Sequence, residues 1–123
     1  QIKEIGDLIS RTDVLLFGIG TAMRMADQRH IADDVRKKLV DNHAVGEALG
    51  QYCDMDGKLI YSTNNIGLSL PDVAKVPNVI AVAGGQEKAS AIIGVMRACQ
   101  KGILIIDEQA AEGMRQLLQI SAL

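Results

Sequence analysis

Three short runs of consecutive apolar residues stand out along the chain, and each is followed by a more polar turn. They span residues 14–18, 79–83 and 103–106. Continuous apolar runs of this length are typical of parallel strands buried on both faces, whereas a strand with one solvated face alternates apolar and polar positions. The pattern therefore predicts three parallel strands at these positions.

Helical periodicity fills much of the chain around these runs. Apolar side chains recur at helical spacing in residues 3–11, in residues 31–40, and after the second and third runs. The two later patterns contain Ala89, Ile92, Ile93, Met96 and Cys99, then Ala110, Ala111, Met114, Leu117 and Leu118. Alternating strands and helices indicate an α/β fold with a parallel sheet and right-handed crossovers. We expect a Rossmann-like, three-layer arrangement with helices on both faces of the sheet.

A hairpin is predicted between the first and second runs. Asp56-Gly57 separates two short β-prone segments, residues 50–54 and 58–61. An Asp-Gly pair in this setting is a strong hairpin signal. We expect this hairpin to form an antiparallel edge on the parallel sheet. Further along, Pro71 and Pro77 are placed to begin and to stop a short helix.

Composition narrows the class of protein. Of the 123 residues, 48% are hydrophobic and 23% are charged, which excludes an intrinsically disordered chain. No apolar run approaches the ~20 residues that a membrane-spanning helix needs, so no membrane partner is expected. The net charge is −2 and aromatic residues make up 2% of the chain, so these residues are not expected to bind nucleic acid themselves.

The cysteines and histidines form no recognisable metal or redox motif. Cys53 and Cys99 are far apart and belong to no zinc or C-x-x-C pattern, and His30 and His43 lack metal-ligand spacing. We expect two buried thiols in a reducing, cytoplasmic environment, and neither a metal nor a cofactor.

A glycine pair follows the first predicted strand. Gly18-Ile-Gly20 resembles the start of a dinucleotide-binding fingerprint, but Met23 stands where the third glycine belongs. Two interpretations remain. The glycines serve a turn that needs positive φ, or they line a small-molecule site at the carboxyl end of the strand, where open α/β sheets bind ligands.

The segment after the second run is the most informative for chemistry. Gly84-Gly85 joins a predicted parallel strand to a helix, and the free N–H groups of a helix start can bind an anion there. Lys88 falls near the first helical turn, where the helix dipole disfavours a cation, so a negative ligand would explain it. The alternative is a solvated lysine paired with Glu87 or Glu47.

Three further positions are open to two interpretations each. Glu47, between small residues, could accept hydrogen bonds from sugar hydroxyls or lie on the surface. Gln28 and Arg29 could clamp a phosphate or belong to a solvated loop. Asp107 and Glu108 could act as an acid–base pair, or Asp107 could be a helix N-cap with Glu108 in the first turn.

Five motifs in a fixed order carry a family resemblance. The motifs are residues 13–20, Ala44-Val-Gly-Glu47, Asp56-Gly57, residues 80–85 with Lys88, and Asp107-Glu108 with Ala110. Together they resemble the sugar-binding domain of SorC-type bacterial transcriptional regulators, over about residues 1–118. Residues 25–29, and residues 44–50 followed by Tyr52, look closest to the branch that regulates central glycolytic genes.

The resemblance implies an effector domain. Such regulators carry an N-terminal helix-turn-helix domain that binds operator DNA, which would lie outside this chain, and residues 1–123 would be the C-terminal part of the effector domain. Its fold is similar to that of glucosamine-6-phosphate deaminase and ribose-5-phosphate isomerase. The resemblance implies a phosphorylated sugar such as fructose-1,6-bisphosphate as effector, and a homo-oligomer, dimer or tetramer.

The same resemblance places Lys88 and Glu47 at effector-contacting positions and implies an arginine at or beside Arg29. With the neighbours proposed from the pattern, the expected effector site comprises Lys88, Glu47, Arg29, Gln28, Gly85, Gly84, Gly18 and Gly20. One departure is Ile106, where the family usually has threonine.

The main alternative is a sugar-phosphate isomerase or deaminase of the same fold. The deaminases follow their Gly-x-Gly with a catalytic Asp-Gly-His run, whereas Thr-Ala-Met-Arg follows Gly20 here. We therefore expect a regulator with no catalytic residues. A nicotinamide-dependent enzyme ranks last, because the dinucleotide fingerprint is incomplete.

Overall fold

A computed structural model describes residues 11–63 and 69–119, and it contains two small sheets and four α-helices in that part of the chain. The elements in order are β1 (Val14–Gly18), β2 (Gly20–Thr21), α1 (Ala22–Gln28), α2 (Asp33–Asp41), β3 (Gly46–Ala48), β4 (Gln51–Cys53), β5 (Leu59–Ser62), β6 (Asn78–Ala83), α3 (Ala89–Cys99), β7 (Ile103–Ile106) and α4 (Glu108–Leu118). Short 3-10 helices occupy Pro71–Lys75 and Gln86–Lys88. The helix predicted over residues 3–11 lies almost wholly outside the described residues.

The three apolar runs form one parallel sheet, as predicted. Its strand order is β1-β6-β7, and both pairs of neighbours are parallel. Leu16 lies opposite Ile80, which in turn lies opposite Ile103. The α/β fold class is confirmed.

Burial of this sheet differs from the expectation. On the inner face, Phe17, Val79 and Ala81 are buried in the core with residues of α3 and α4. On the outer face, Leu16 is 66% exposed and Ile103 is 65% exposed. The prediction that each strand is buried on both faces, with helices on both sides, is therefore wrong for the described part of the chain. An apolar run shows that both faces of a strand could be buried, but not that residues of the same chain cover them.

The hairpin at Asp56-Gly57 is confirmed, but its place in the fold is not the expected one. It joins β4 to β5 within a separate antiparallel sheet of order β2-β3-β4-β5, rather than forming the edge of the parallel sheet. The sequence concealed this arrangement because β2 and β3 are only two and three residues long and contain small residues and glycine, which give no strand pattern.

Helix α3 lies between the two sheets. Its buried side chains share one core with Phe17 and Val79 of the parallel sheet and with Ala48 and Cys53 of the antiparallel sheet. The approach is closest at Gly94, where a Cβ atom would lie 2.4 Å from the carbonyl oxygen of Asp54. Glycine lowers helix propensity, so its presence in the middle of α3 is explained by this packing.

Two other predictions concern local structure. Cys53 and Cys99 are free and buried, as expected, and burial raises the pKa of their thiols to about 12 and about 11. The segment that begins at Pro71 is helical, although of the 3-10 type.

The described residues contain neither a membrane-spanning helix nor a cluster of metal-binding side chains. None of their helices is both long and apolar enough to cross a bilayer. In the same residues, no group of three or more His, Cys, Asp or Glu side chains is placed to hold a metal ion.

Candidate functional site

The candidate site lies where the chain passes from the parallel sheet into the antiparallel sheet. Gly18 ends β1, and Gly20 begins β2. Neither glycine has positive φ, so the interpretation of a turn that requires it is wrong. Gly20 instead allows a close approach, since a Cβ atom there would lie 2.7 Å from Met25 Cγ and 3.9 Å from Glu47 Oε2. A Cβ at Gly18 would meet only the Val82 carbonyl oxygen, at an ordinary 3.8 Å.

Glu47 is the centre of this region. It lies in β3, directly opposite Gly20 on one side and Tyr52 on the other, and is only 4% exposed. Its Oε1 accepts a hydrogen bond from the Gly50 N–H at 2.9 Å and lies 2.9 Å from Arg29 Nη2. The alternative of a surface glutamate is therefore wrong, because this carboxylate is buried and paired.

Arg29 supplies the positive charge. Arg29 follows the last residue of α1. Its side chain is 36% exposed, so one part of it reaches solvent while its guanidinium group contacts the buried carboxylate. Burial works against the Arg29 charge, but the Glu47 carboxylate and the nearby Tyr52 side chain together outweigh that effect, so the pKa of Arg29 is raised. The structure thus brings two of the predicted site residues together. Gln28, the last residue of α1, is exposed, and its side chain has no hydrogen-bond partner among the described residues.

Tyr52 is a residue of this site that the sequence did not reveal. Its side chain is fully buried, and its hydroxyl group has no hydrogen-bond partner in the described part of the chain. Burial raises the pKa of Tyr52, while the Arg29 guanidinium group, which approaches the hydroxyl group, lowers it. Tyr52 could have been predicted from the pairing of β3 with β4, which places it opposite Glu47, but the sequence of β3 has no strand pattern.

Lys88 lies in a turn that packs beside β2, the strand paired with β3. It ends the 3-10 turn Gln86–Lys88 and is the N-cap residue of α3, and this turn contacts β2. The prediction that Lys88 falls at the helix start is confirmed. Its ammonium group has no ion-pair or hydrogen-bond partner among residues 11–63 and 69–119, and the carboxylate of Glu47 is paired with Arg29 instead.

The predicted anion site at Gly84-Gly85 needs a correction. Gly85 has a φ of +100°, and its N–H donates to both carboxylate oxygens of Asp107 at 3.1 Å each. That donor is therefore already used, and a negative charge stands beside it. The physical reason is topological, since β6 and β7 are neighbours and their carboxyl ends bring Gly85 and Asp107 together.

Asp107 has a structural role, as one interpretation predicted. Its Oδ1 accepts from the Ala110 N–H at 2.8 Å, which makes it the N-cap of α4, and Glu108 occupies the first turn. The N–H groups of Ala110 and then Gly85 lower the pKa of the carboxyl group.

The arrangement fits a ligand that carries both hydroxyl groups and negative charge. A buried carboxylate can accept hydrogen bonds from hydroxyl groups, while a guanidinium and an ammonium group can hold an anion. Glu47, Arg29 and Lys88 place these functions in neighbouring elements, at the junction of the two sheets.

Comparison with known proteins gives a consistent result. The family described as "Putative sugar-binding domain" matches residues 1–116. The chain is 38% identical over 112 residues to the "Central glycolytic genes regulator" of Bacillus subtilis (strain 168), covering 91% of this chain and 33% of that protein. The protein of the same name from Priestia megaterium is 40% identical over 112 residues, with the same two coverages.

A solved structure agrees with the sequence comparison. The crystal structure of a SorC family transcriptional regulator from Enterococcus faecalis superposes with a TM-score of 0.82 at 38% identity, covering 91% of this chain and 46% of that one. The chain thus spans about a third of the length of the curated relatives above.

Proposed function

Because this chain belongs to the sugar-binding domain family of SorC-type bacterial transcriptional regulators, we propose that it senses a phosphorylated sugar as part of a transcriptional repressor of sugar or glycolytic genes. The effector site consists of Glu47, Arg29 and Lys88 near Gly20. The observation that carries this proposal is the ion pair between buried Glu47 and partly exposed Arg29 at the junction of the two sheets. Taking a carboxylate out of water is unfavourable unless it is paired, and a sugar-binding role explains why one is kept there.

The preferred effector in this proposal is fructose-1,6-bisphosphate. Relatives named central glycolytic genes regulator share about two residues in five with this chain, which favours a glycolytic sugar phosphate. Arg29 and Lys88 offer two cationic groups on separate elements, and a sugar with two phosphates can use both. In this assignment Glu47 accepts hydrogen bonds from the sugar hydroxyls.

The proposal extends to the rest of the regulator. Operator DNA is bound by a helix-turn-helix domain outside this chain, and the protein acts in the cytoplasm as a dimer or tetramer. The domain senses its sugar phosphate and does not convert it. Two features support a non-catalytic role: Thr21-Ala22-Met23 follows Gly20 in place of a catalytic Asp-Gly-His run, and the two buried thiols have pKa values too high for nucleophiles.

Thermal unfolding of the full-length protein that contains this chain tests the function. A ligand that binds only the folded state raises Tm. We expect fructose-1,6-bisphosphate to raise Tm more than fructose or inorganic phosphate at equal concentration, since only the first offers both hydroxyl groups and two phosphates.

The alternative, an isomerase or deaminase of the same fold, predicts a different result. Turnover of ribose-5-phosphate or glucosamine-6-phosphate by the pure protein would contradict the regulator assignment. Equal stabilisation by inorganic phosphate and by the sugar phosphate would contradict a sugar-specific site.

A further inference from the structure

The buried hydroxyl group of Tyr52 needs a physical explanation. Among the described residues it is the one buried side-chain oxygen or nitrogen without a hydrogen-bond partner. Leaving such a group unpaired inside a protein is unfavourable, and phenylalanine would fill the same space without that penalty. A hydroxyl group at this position is therefore expected to find a partner in another state of the protein.

The neighbours of Tyr52 indicate which partner that is. Tyr52 and Glu47 are directly opposite each other on adjacent antiparallel strands, so their side chains lie on the same face of the sheet. Both described donors to Glu47, Gly50 N–H and Arg29 Nη2, reach the same oxygen, Oε1. The second oxygen, Oε2, lies toward Gly20.

Arg29 is the most exposed member of this group. It lies past the end of α1 and is partly exposed, whereas Glu47 and Tyr52 are held inside a sheet. An anion bound beside Arg29 competes with Glu47 for the guanidinium group. If Arg29 turned toward that anion, Glu47 would become a buried carboxylate without its counter-charge, which is strongly unfavourable.

We propose that Tyr52 is a positioning residue that donates a hydrogen bond to Glu47 when Arg29 turns to an anionic ligand. The exchange keeps Glu47 hydrogen-bonded and oriented toward the sugar while Arg29 is used for a phosphate. This inference rests on the proposed function, because the phosphorylated sugar is the anion that draws Arg29 away. In the ligand-free protein Arg29 pairs with Glu47, and the Tyr52 hydroxyl group lies on the same face of the sheet without donating to either of them.

A stability cycle tests the exchange without any ligand. In Arg29→Ala the competing donor is absent, so Tyr52 donates to Glu47 already in the free protein. Tyr52→Phe should leave the Tm of the parent unchanged or slightly higher, but should lower the Tm of Arg29→Ala by about 4 °C. Tyr61→Phe, in the neighbouring ring 6.2 Å away, is the matched control and should have the same effect in both backgrounds.

The outcomes of this cycle distinguish a hydroxyl group that donates to Glu47 when Arg29 is absent from one that is merely structural. An equal loss of Tm on Tyr52→Phe in both backgrounds means that the hydroxyl group is merely structural, and the proposal is wrong. No loss in either background means that Tyr52 does not donate to Glu47, and the proposal is equally wrong.

A titration with fructose-1,6-bisphosphate tests the same exchange in the bound state. Tyr52→Phe in the full-length protein should weaken binding about tenfold, while Tyr61→Phe binds as the parent does. Parent-like affinity of Tyr52→Phe overturns the inference and leaves the proposed function standing. If the parent itself fails to bind, the proposed effector is wrong, and the stability cycle alone decides the role of Tyr52.

Discussion

The Glu47 side chain is almost entirely buried, and its carboxylate is paired with one guanidinium group and one backbone N–H. We expect Glu47→Gln to destabilise the fold by about 1–2 kcal/mol, less than for a fully buried pair because Arg29 is partly exposed. Chemical denaturation at neutral pH measures this change. Glu112→Gln is the matched control, because its pair with Arg115 lies at the surface and its loss should not be measurable. A change at Glu47 as small as that at Glu112 would contradict the structural role of the buried carboxylate and its pair with Arg29.

Some side-chain roles could be predicted from the sequence and others could not. Lys88 at a helix start, Asp107 as an N-cap and the buried thiols followed from local rules of spacing and capping. The Arg29–Glu47 pair did not, because it joins residues 18 positions apart, and the place of Tyr52 did not, because Glu47 lies in a strand that has no sequence pattern. The anion site at Gly85 failed for a related reason, since its N–H donates to the carboxylate of Asp107, which follows the neighbouring strand β7.

Helix α3 depends on close packing between elements. A methyl group at Gly94 would lie 2.4 Å from a backbone carbonyl oxygen and 3.0 Å from Val45 Cγ2, and neither the backbone nor a branched side chain can easily move away. We expect Gly94→Ala to destabilise the fold by about 1–3 kcal/mol, although alanine is the better helix former. Ser90→Ala on the same helix is the control, with little expected change. Urea denaturation measures both, and a more stable Gly94→Ala would contradict the packing described for α3.

Asp107 links the end of β6 to the start of α4. Its pKa is lowered in the folded state, so the unfolded chain binds a proton more readily, and Asp107 stabilises the fold at pH values above the usual aspartate pKa of about 4. That stabilisation is lost as the pH falls through the lowered pKa.

The sign of this linkage gives a test. Asp107→Asn should be less stable than the parent at pH 7, and the difference should shrink at pH 3, as measured by urea denaturation at both values. Asp107→Asn as stable as the parent at pH 7 would show that the carboxylate charge contributes nothing to the cap.

At the scale of the whole molecule, the sequence predicted the parallel sheet and missed the second sheet. The apolar runs predicted β1, β6 and β7 correctly, because strands of a parallel sheet are typically continuous runs of apolar residues. The antiparallel sheet is assembled from short strands whose pairing depends on the path of the chain. The candidate site lies at the meeting of the two sheets, so its position could not be obtained from either pattern alone.

Glu47, Arg29 and Lys88 are proposed to bind a phosphorylated sugar. Calorimetric titration of fructose-1,6-bisphosphate into the full-length protein and its Lys88→Ala variant tests this binding. Lys58→Ala is the control, because Lys58 is exposed and lies on the hairpin. We expect Lys88→Ala to lose a charge-assisted hydrogen bond of roughly 1.5–3 kcal/mol, or about tenfold to a hundredfold in affinity, with unchanged fold stability and parent-like binding by Lys58→Ala. Binding by Lys88→Ala as tight as that of the parent would contradict the site.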